Sequence, residues 1–364
     1  MRILFASTQG AGHFNPLVPF LEVFRRAGHE VLVVGPPSLD VGTFPFRPGA
    51  HPPDELLGPV WGAMGSIPPG QGDVVVIGTI FARLNVDAML PTVRATIEEW
   101  QPDLVLREAS EFASAIAADE LDVPHARVAI GLHAFEEVAL AFASPALEER
   151  RPGLTRRISD SDYLTCWPES LDSTAAPVQR FSDPALQVEP EPLPNWWPGD
   201  RRSLVYVTFG SVTAQFPPAA VVYGKAIEAV ADLEARVLLT VGVAAEVDLS
   251  EAPANVHVEK WVPQADVLGH AAVVVGHGGA GTTLGALAAG VPLVVVPLFA
   301  DQPWNGARTA IAGAGVVASM DGIRAGIELV LADDSYRAAA GAVADELRRY
   351  QAVDDYVTRP MKAA

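Results

Sequence analysis

Residues 272–296 read AVVVGHGGAGTTLGALAAGVPLVVV. A β-branched apolar run stops at Gly276, a turn carrying Gly278, Gly279 and Gly281 follows, and a helix-forming run over 284–289 closes on Gly290 before a second β-branched run at 292–296. Strand, glycine turn, helix, strand is the unit from which parallel sheets covered by helices are built. The glycines let the main chain approach a ligand closely. Thr282 and Thr283 can cap the helix and offer hydroxyls, and the free N–H groups of a helix start suit a diphosphate. His277 could add a hydrogen bond to a phosphate oxygen. No Gly-Lys-Ser/Thr follows, which excludes the nucleoside-triphosphate P-loop.

The same rhythm extends on either side. Upstream in this half, strands are expected at 203–209, 236–240 and 255–258. Near the start of the chain they are expected at 3–6, 30–34, 104–106 and 125–130. A helix over 16–27 would place Leu17, Phe20, Leu21 and Phe24 on one face, and another falls near 112–121. Pro184, Pro190, Pro192, Pro194 and Pro198 interrupt the pattern, so 186–202 reads as a linker. The expectation is α/β, two Rossmann-like domains facing each other across a cleft. The first spans 1–185 and the second 203–345, with 346–364 a C-terminal helix and tail packing back toward the first. Ligands of such sheets bind beyond the carboxyl ends of the strands. Residues 36–72, rich in Pro and Gly, read as loop with local packing, or as an apolar wall that includes Trp61 and Met64.

The chain has 364 residues, 49% of them hydrophobic, and a formal net charge of −19. That charge argues against nucleic-acid binding, which needs a basic footprint. It also requires any anionic ligand to be held by local dipoles and backbone N–H groups. No unbroken apolar run of about 18 residues occurs, so no membrane span is expected. The only cysteine is Cys166, and the expected setting is the cytoplasm. Asp160-Ser161-Asp162 is the one Asp-x-Asp. It fits a turn before a strand better than a metal site, and no metal or other cofactor is expected.

A second glycine turn, Gly10-Ala11-Gly12-His13, follows the first strand. A dinucleotide site would want a third glycine where Asn15 stands and an acid after Val34, where Gly35-Pro36-Pro37 stands. His13 instead places an imidazole at a strand-to-helix turn, either as a general base or as a structural cap.

Gly12-His13-Phe14-Asn15-Pro16, Phe209-Gly210-Ser211, Trp261-Val262-Pro263-Gln264, the turn 277–283 and Asp301-Gln302 occur in an order that resembles the UDP-glycosyltransferase superfamily, in its bacterial natural-product branch. The resemblance covers most of the chain. It implies the GT-B fold and an inverting, metal-independent transfer from a nucleotide sugar to a small apolar aglycone. His13 would be the general base, paired with Glu108 where the family usually has aspartate, or with the nearby Glu111. Gly12, Ser211, Trp261, Val262, Gln264, His277, Gly278, Gly279, Gly281, Thr282, Asp301 and Gln302 would bind the donor: Trp261 stacking on the base, the 277–282 turn and Ser211 on the diphosphate, Asp301 and Gln302 on sugar hydroxyls. Phe14, Trp61, Met64 and Phe135 are the apolar candidates for the acceptor. Uridine-nucleotide members often carry a ribose-gripping glutamate where this chain has Gly285, which points to a dTDP-activated deoxysugar. A homodimer is an open arrangement. The competing readings are a non-catalytic nucleotide-sugar binder and an epimerase of the same fold.

Overall fold

Among the described residues every strand pairs in parallel, in two sheets. The computed structural model describes every residue except 69, 188, 211, 212, 214–216, 243–251 and 358–364; Ser211 therefore lies outside the described residues. The chain divides into two compact units: unit 1 is Met1–Cys166, Thr174–Ser182 and Gln351–Ala364, and unit 2 is Trp167–Ser173 and Asp183–Tyr350.

Unit 1 holds strands β1 (Arg2–Ala6), β2 (Glu30–Gly35), β3 (Phe46–Pro48), β4 (Leu104–Glu108), β5 (His125–Val128), β6 (Asp162–Thr165) and β7 (Val178–Ser182). The C-terminal β14 (Gln351–Ala352) joins them, giving the order β14-β7-β6-β5-β4-β1-β2-β3. Alternation along each strand divides its side chains between two cores. Leu4, Ala6 and Val105 pack against Val86, Val93, Ile97, Phe112 and Ile116 on one face. Ile3, Phe5, Leu104 and Leu106 meet Leu17, Phe20, Leu21 and Phe24 on the other. The expected apolar helix face is thus the buried one, although the turn opens as a short helix Ala11–Phe14 and a 3-10 turn before the helix Val18–Arg26.

Two stretches differ from the expectation. Residues 36–72 are not loop throughout: Asp54–Ala63 is a helix with Pro59 inside it and no buried residue. Gly72–Trp100 forms a continuous helical stretch, long and apolar enough by length and composition to cross a membrane. It is apolar on average rather than unbroken, since Arg83 and Arg94 pair with Glu149 and Glu120. Its Ile77, Val86, Met89, Leu90, Val93 and Ile97 lie in the unit 1 core, so one face of the stretch is buried by this unit's own packing.

Unit 2 holds β8 (Leu204–Thr208), β9 (Arg236–Thr240), β10 (Val256–Glu259), β11 (Ala271–Gly276), β12 (Leu293–Val295) and β13 (Gly315–Val317), ordered β10-β9-β8-β11-β12-β13. The proline-rich stretch is docked on this unit. The Glu191 N–H donates to Asp266, Trp196 stacks on His257 at 4.7 Å, and Arg236 lies over the Trp197 ring. The last long helix, Asp334–Arg349, also belongs to unit 2. The return to unit 1 begins only at Gln351.

Candidate active site

In unit 1 the first turn brings an imidazole against a buried carboxylate. Gly10, with φ 110°, allows the chain to leave β1 sharply, and its carbonyl accepts the His13 and Phe14 N–H groups. His13 Nδ1 lies 3.2 Å from Glu108 Oε1. Glu108 ends β4 and is fully buried. Its Oε1 accepts from Thr8 N at 3.1 Å and Thr8 Oγ1 at 2.7 Å, and its Oε2 from Ser110 N at 2.6 Å. Burial alone would push this carboxyl up. The His13 ring and the Thr8 and Ser110 hydrogen bonds outweigh it and hold Glu108 below the usual carboxylate range. A glutamate therefore fills the position usual for aspartate, its Oε1 held by both Thr8 groups beside the His13 ring and its Oε2 by Ser110 N.

Glu111 does a different job. It caps the helix Phe112–Glu120, accepting from Ala113 N at 3.1 Å, Ser114 N at 2.9 Å and the Ser114 hydroxyl, and burial pushes its carboxyl up. Of the two acids left open by the sequence, Glu108 is the one at His13. Phe81 reaches the His13 ring at 5.5 Å. It comes from a π-helical stretch, Val76–Asn85, a geometry that frequently marks functional positions. Periodicity gave no signal for it.

Beneath this turn lies a second feature the sequence reading missed. Arg107 is fully buried, and its Nη1 donates to the carbonyls of Glu108, Ala109 and Glu111 at 3.2, 3.3 and 3.2 Å. Burial, then the neighbouring Arg127, pushes its guanidinium down to about 10. The arginine pins the segment from which the Ser110 N–H is aimed at Glu108. Strand alternation placed Arg107 among core positions, which was the available clue.

The apolar acceptor candidates separate. Phe14 is 4% exposed and packed with Leu17, Phe20 and Phe5, so its surface serves the core and not a ligand. Trp61 is 46% exposed at the end of its unburied helix, and Met64 and Phe135 are half-buried.

In unit 2 the glycine turn leaves β11 with Gly278 at φ 87° and enters the helix Ala280–Ala288. A side chain at Gly279 would meet His277 Nε2 at 2.5 Å, and one at Gly210 would meet His277 Cε1 at 3.0 Å. Two glycines therefore make the slot for that ring. His277 Nδ1 is enclosed with no hydrogen-bond partner, and burial pushes the imidazole down to about 4. At neutral pH it is a neutral imidazole rather than a cation. Thr282 Oγ1 accepts from Gln264 Nε2 at 3.2 Å. Trp261 is 64% exposed, which rules out core packing and leaves an indole face for stacking; Val262 follows it half-buried. Gln302 departs from its expected role. It is 3% exposed, and its Oε1 accepts from Leu298 N at 2.8 Å and Phe299 N at 3.0 Å, so that oxygen closes a loop instead of meeting a sugar. Gly12 and Gly281 are exposed. Among the described residues no group of three His, Cys, Asp or Glu could hold a metal. Asp160 ends the helix Leu154–Asp160, Asp162 opens β6, and Asp160 pairs with Arg156.

Residues 73–193 match the N-terminal domain, and 224–352 the C-terminal domain, of the family described as erythromycin biosynthesis protein CIII-like. The chain is 31% identical to the elloramycin glycosyltransferase ElmGT of Streptomyces olivaceus, over 99% of this chain and 96% of that one. It belongs to this family of bacterial natural-product glycosyltransferases. A second member, the L-demethylnoviosyl transferase of Streptomyces niveus, is 30% identical over 96% of this chain and 94% of its own. The SsfS6 glycosyltransferase of Streptomyces sp. SF2575, solved with thymidine diphosphate, superimposes with a TM-score of 0.76 at 25% identity, covering 98% of each chain. The two parallel-sheet units are those of a GT-B glycosyltransferase.

Proposed function

We propose that this glycosyltransferase moves a deoxysugar from a dTDP donor to a hydroxyl of an apolar natural-product aglycone, with inversion at the anomeric carbon and without a metal. The carrying observation is His13 Nδ1 at 3.2 Å from the buried Glu108. A carboxylate on Nδ1 fixes the tautomer and stabilises the imidazolium, leaving Nε2 to take the acceptor's proton. The acceptor oxygen forms its bond to the anomeric carbon as the bond to the diphosphate breaks, and the leaving group carries away the electron pair. The start of the helix Ala280–Ala288 and the neutral His277 meet the charge that develops on it.

The dTDP assignment is supported at Gly285. This residue is buried in its helix, and a side chain there would meet Leu268 Cδ1 at 3.2 Å and Gln264 Oε1 at 3.3 Å. The place of a ribose-gripping acid is lined by a methyl group and an amide already joined to Thr282, which suits a sugar lacking a 2′-hydroxyl. The demethylnoviosyl-transferring relative and the thymidine diphosphate bound to SsfS6 agree with this reading. The exposed Trp61 and its unburied helix supply the apolar surface for the acceptor, and a cytoplasmic setting suits the single half-buried Cys166.

Thermal-shift titration tests the donor, since a ligand of the native state raises stability by about 2.7 kcal/mol at 100 times its Kd. The larger shift is expected with dTDP, and a larger one with UDP would overturn the assignment. His13→Ala should lower turnover about 10³-fold while the dTDP shift persists. Unchanged turnover discards the base, and the anomer of the product, read by NMR, tests inversion.

A further inference from the structure

We propose that Asn305 is the positioning residue that joins the two donor-binding loops of unit 2 and thereby determines how well the sugar, as distinct from the nucleotide, is held. This rests on the reading above in which the glycine turn grips the diphosphate and Asp301 meets the sugar. Asn305 is fully buried. Its Nδ2 donates to the Gly278 carbonyl at 2.8 Å and to Asp301 Oδ2 at 2.7 Å. Both neighbours are acceptors, so the NH₂ end must lie between them, and its two protons are both in use. One amide group therefore ties the glycine turn after β11 to the carboxylate after β12.

The surroundings fit a bracket rather than ordinary helix packing. Asp301 stands at the N-cap of the helix Gln302–Ile311 yet makes no side-chain bond to the helix's backbone N–H groups; its carboxylate is turned onto Asn305 instead. Ala300, just before it, is held at φ 55°, a left-handed conformation that a residue with a β-carbon rarely adopts. Gln302 closes residues 298–302 with its Oε1. A β-carbon at Gly278 would meet Gln302 O at 3.0 Å and Val295 Cγ1 at 2.7 Å, so the two loops are already in van der Waals contact where Asn305 joins them. Asn305 is in turn fixed by Thr309, whose hydroxyl donates to its carbonyl at 2.8 Å. Its Oδ1 has no hydrogen-bond partner, an arrangement that packing alone does not favour.

Titration calorimetry of the wild type, Asn305→Ala, Asp301→Ala and the double variant, each with dTDP, dTDP-glucose and dTDP-rhamnose, tests the proposal. In the wild type at least one sugar nucleotide should bind more tightly than dTDP. Asn305→Ala should weaken that sugar nucleotide by about tenfold and dTDP by less than about threefold. In the Asp301→Ala background it should have no further effect on the sugar's share, as expected for two residues acting as one. Equal weakening of all ligands, effects that simply multiply, or a wild type that prefers neither sugar nucleotide would overturn it. Should Asn305→Ala lose its thermal transition, Asn305→Ser, which keeps one donor, carries the same comparison at an intermediate size. A wild type that binds neither dTDP nor UDP would remove the donor-site reading together with the proposal. Binding without the coupling removes the proposal alone.

Discussion

At the ends of β1 and β4 the structure gathers ionisable side chains taken out of water, whereas at the end of β11 it presents main chain made accessible by glycine. Unit 1 buries Arg107, Glu108, Glu111, Arg127 and Glu136 and gives each at least one polar partner; Glu136, which accepts from Ile130 N, Gly131 N and Tyr163, is pushed up to about 7 by burial. Unit 2 places glycines at 276, 278, 279 and 281 along one turn, with Gly279 and Gly210 against a neutral imidazole. A base needs a tuned proton affinity, which burial and hydrogen bonds provide. A dianionic leaving group needs many aligned dipoles, which a helix start provides without changing protonation state.

The largest effect that would break this contrast is expected at Glu108. Glu108→Gln should lower kcat by about 10²–10³-fold and leave the dTDP-induced thermal shift unchanged; an altered shift with normal kcat would reverse the roles of the two sites. Next comes acid stability. His125 in unit 1, its Nδ1 enclosed without a partner, is pushed down to about 3 by burial and then by Arg107 and Arg127. The unfolded chain takes up this proton near the ordinary value of 6.5 and the native one does not, so stability falls as pH drops from about 6.5 toward 3. Between pH 7 and pH 4, His125→Gln should reduce the loss by on the order of 2 kcal/mol, read from urea midpoints. Equal slopes for both proteins would refute it. A smaller effect is expected at the glycine turn. Gly279→Ala places a methyl against His277 and should weaken dTDP about tenfold, around 1.4 kcal/mol, with kcat at saturating donor nearly unchanged. The smallest is Ala300→Gly, which relieves the left-handed alanine and should raise stability by at most about 1 kcal/mol, seen as a Tm higher by a few degrees.

Much of this was readable because the relevant signals are local. The strands announced themselves by β-branched runs bounded by glycine, and His13, Glu108 and the 276–282 turn sit where strands end. The misses share a cause, which is that burial and partnership depend on distant chain. The helix Asp54–Ala63 was hidden by Gly58, Pro59 and Gly62, since an internal proline ordinarily argues against a helix. Phe14 stands beside His13 in sequence but points to the opposite side of its turn, into the core. Gln302 reads as a sugar ligand by type, yet the loop it closes engages its oxygen. Arg107 reads as an interruption of an apolar strand, and only the three carbonyls gathered around it explain the charge. The proline-rich stretch has few regular repeats because it is held by single contacts, such as Trp196 on His257, rather than by a periodic face.

The last strand has a consequence for how such enzymes can be recombined. Gln351–Ala352 pairs with Phe181 and Ser182, and Tyr356 sets its ring edge-on against Phe20, Phe24 and Phe181 at 5.9, 6.2 and 5.6 Å. The sheet and aromatic cluster of unit 1 are therefore complete only once residues 351–356 have been made, after the whole of unit 2. A hybrid gene spliced once near residue 183 would give its amino-terminal parent the wrong closing segment. Exchange of unit 1 between relatives needs a further junction at 350, so that residues 351–357 stay with their own sheet, and it must leave Trp167–Ser173 with unit 2.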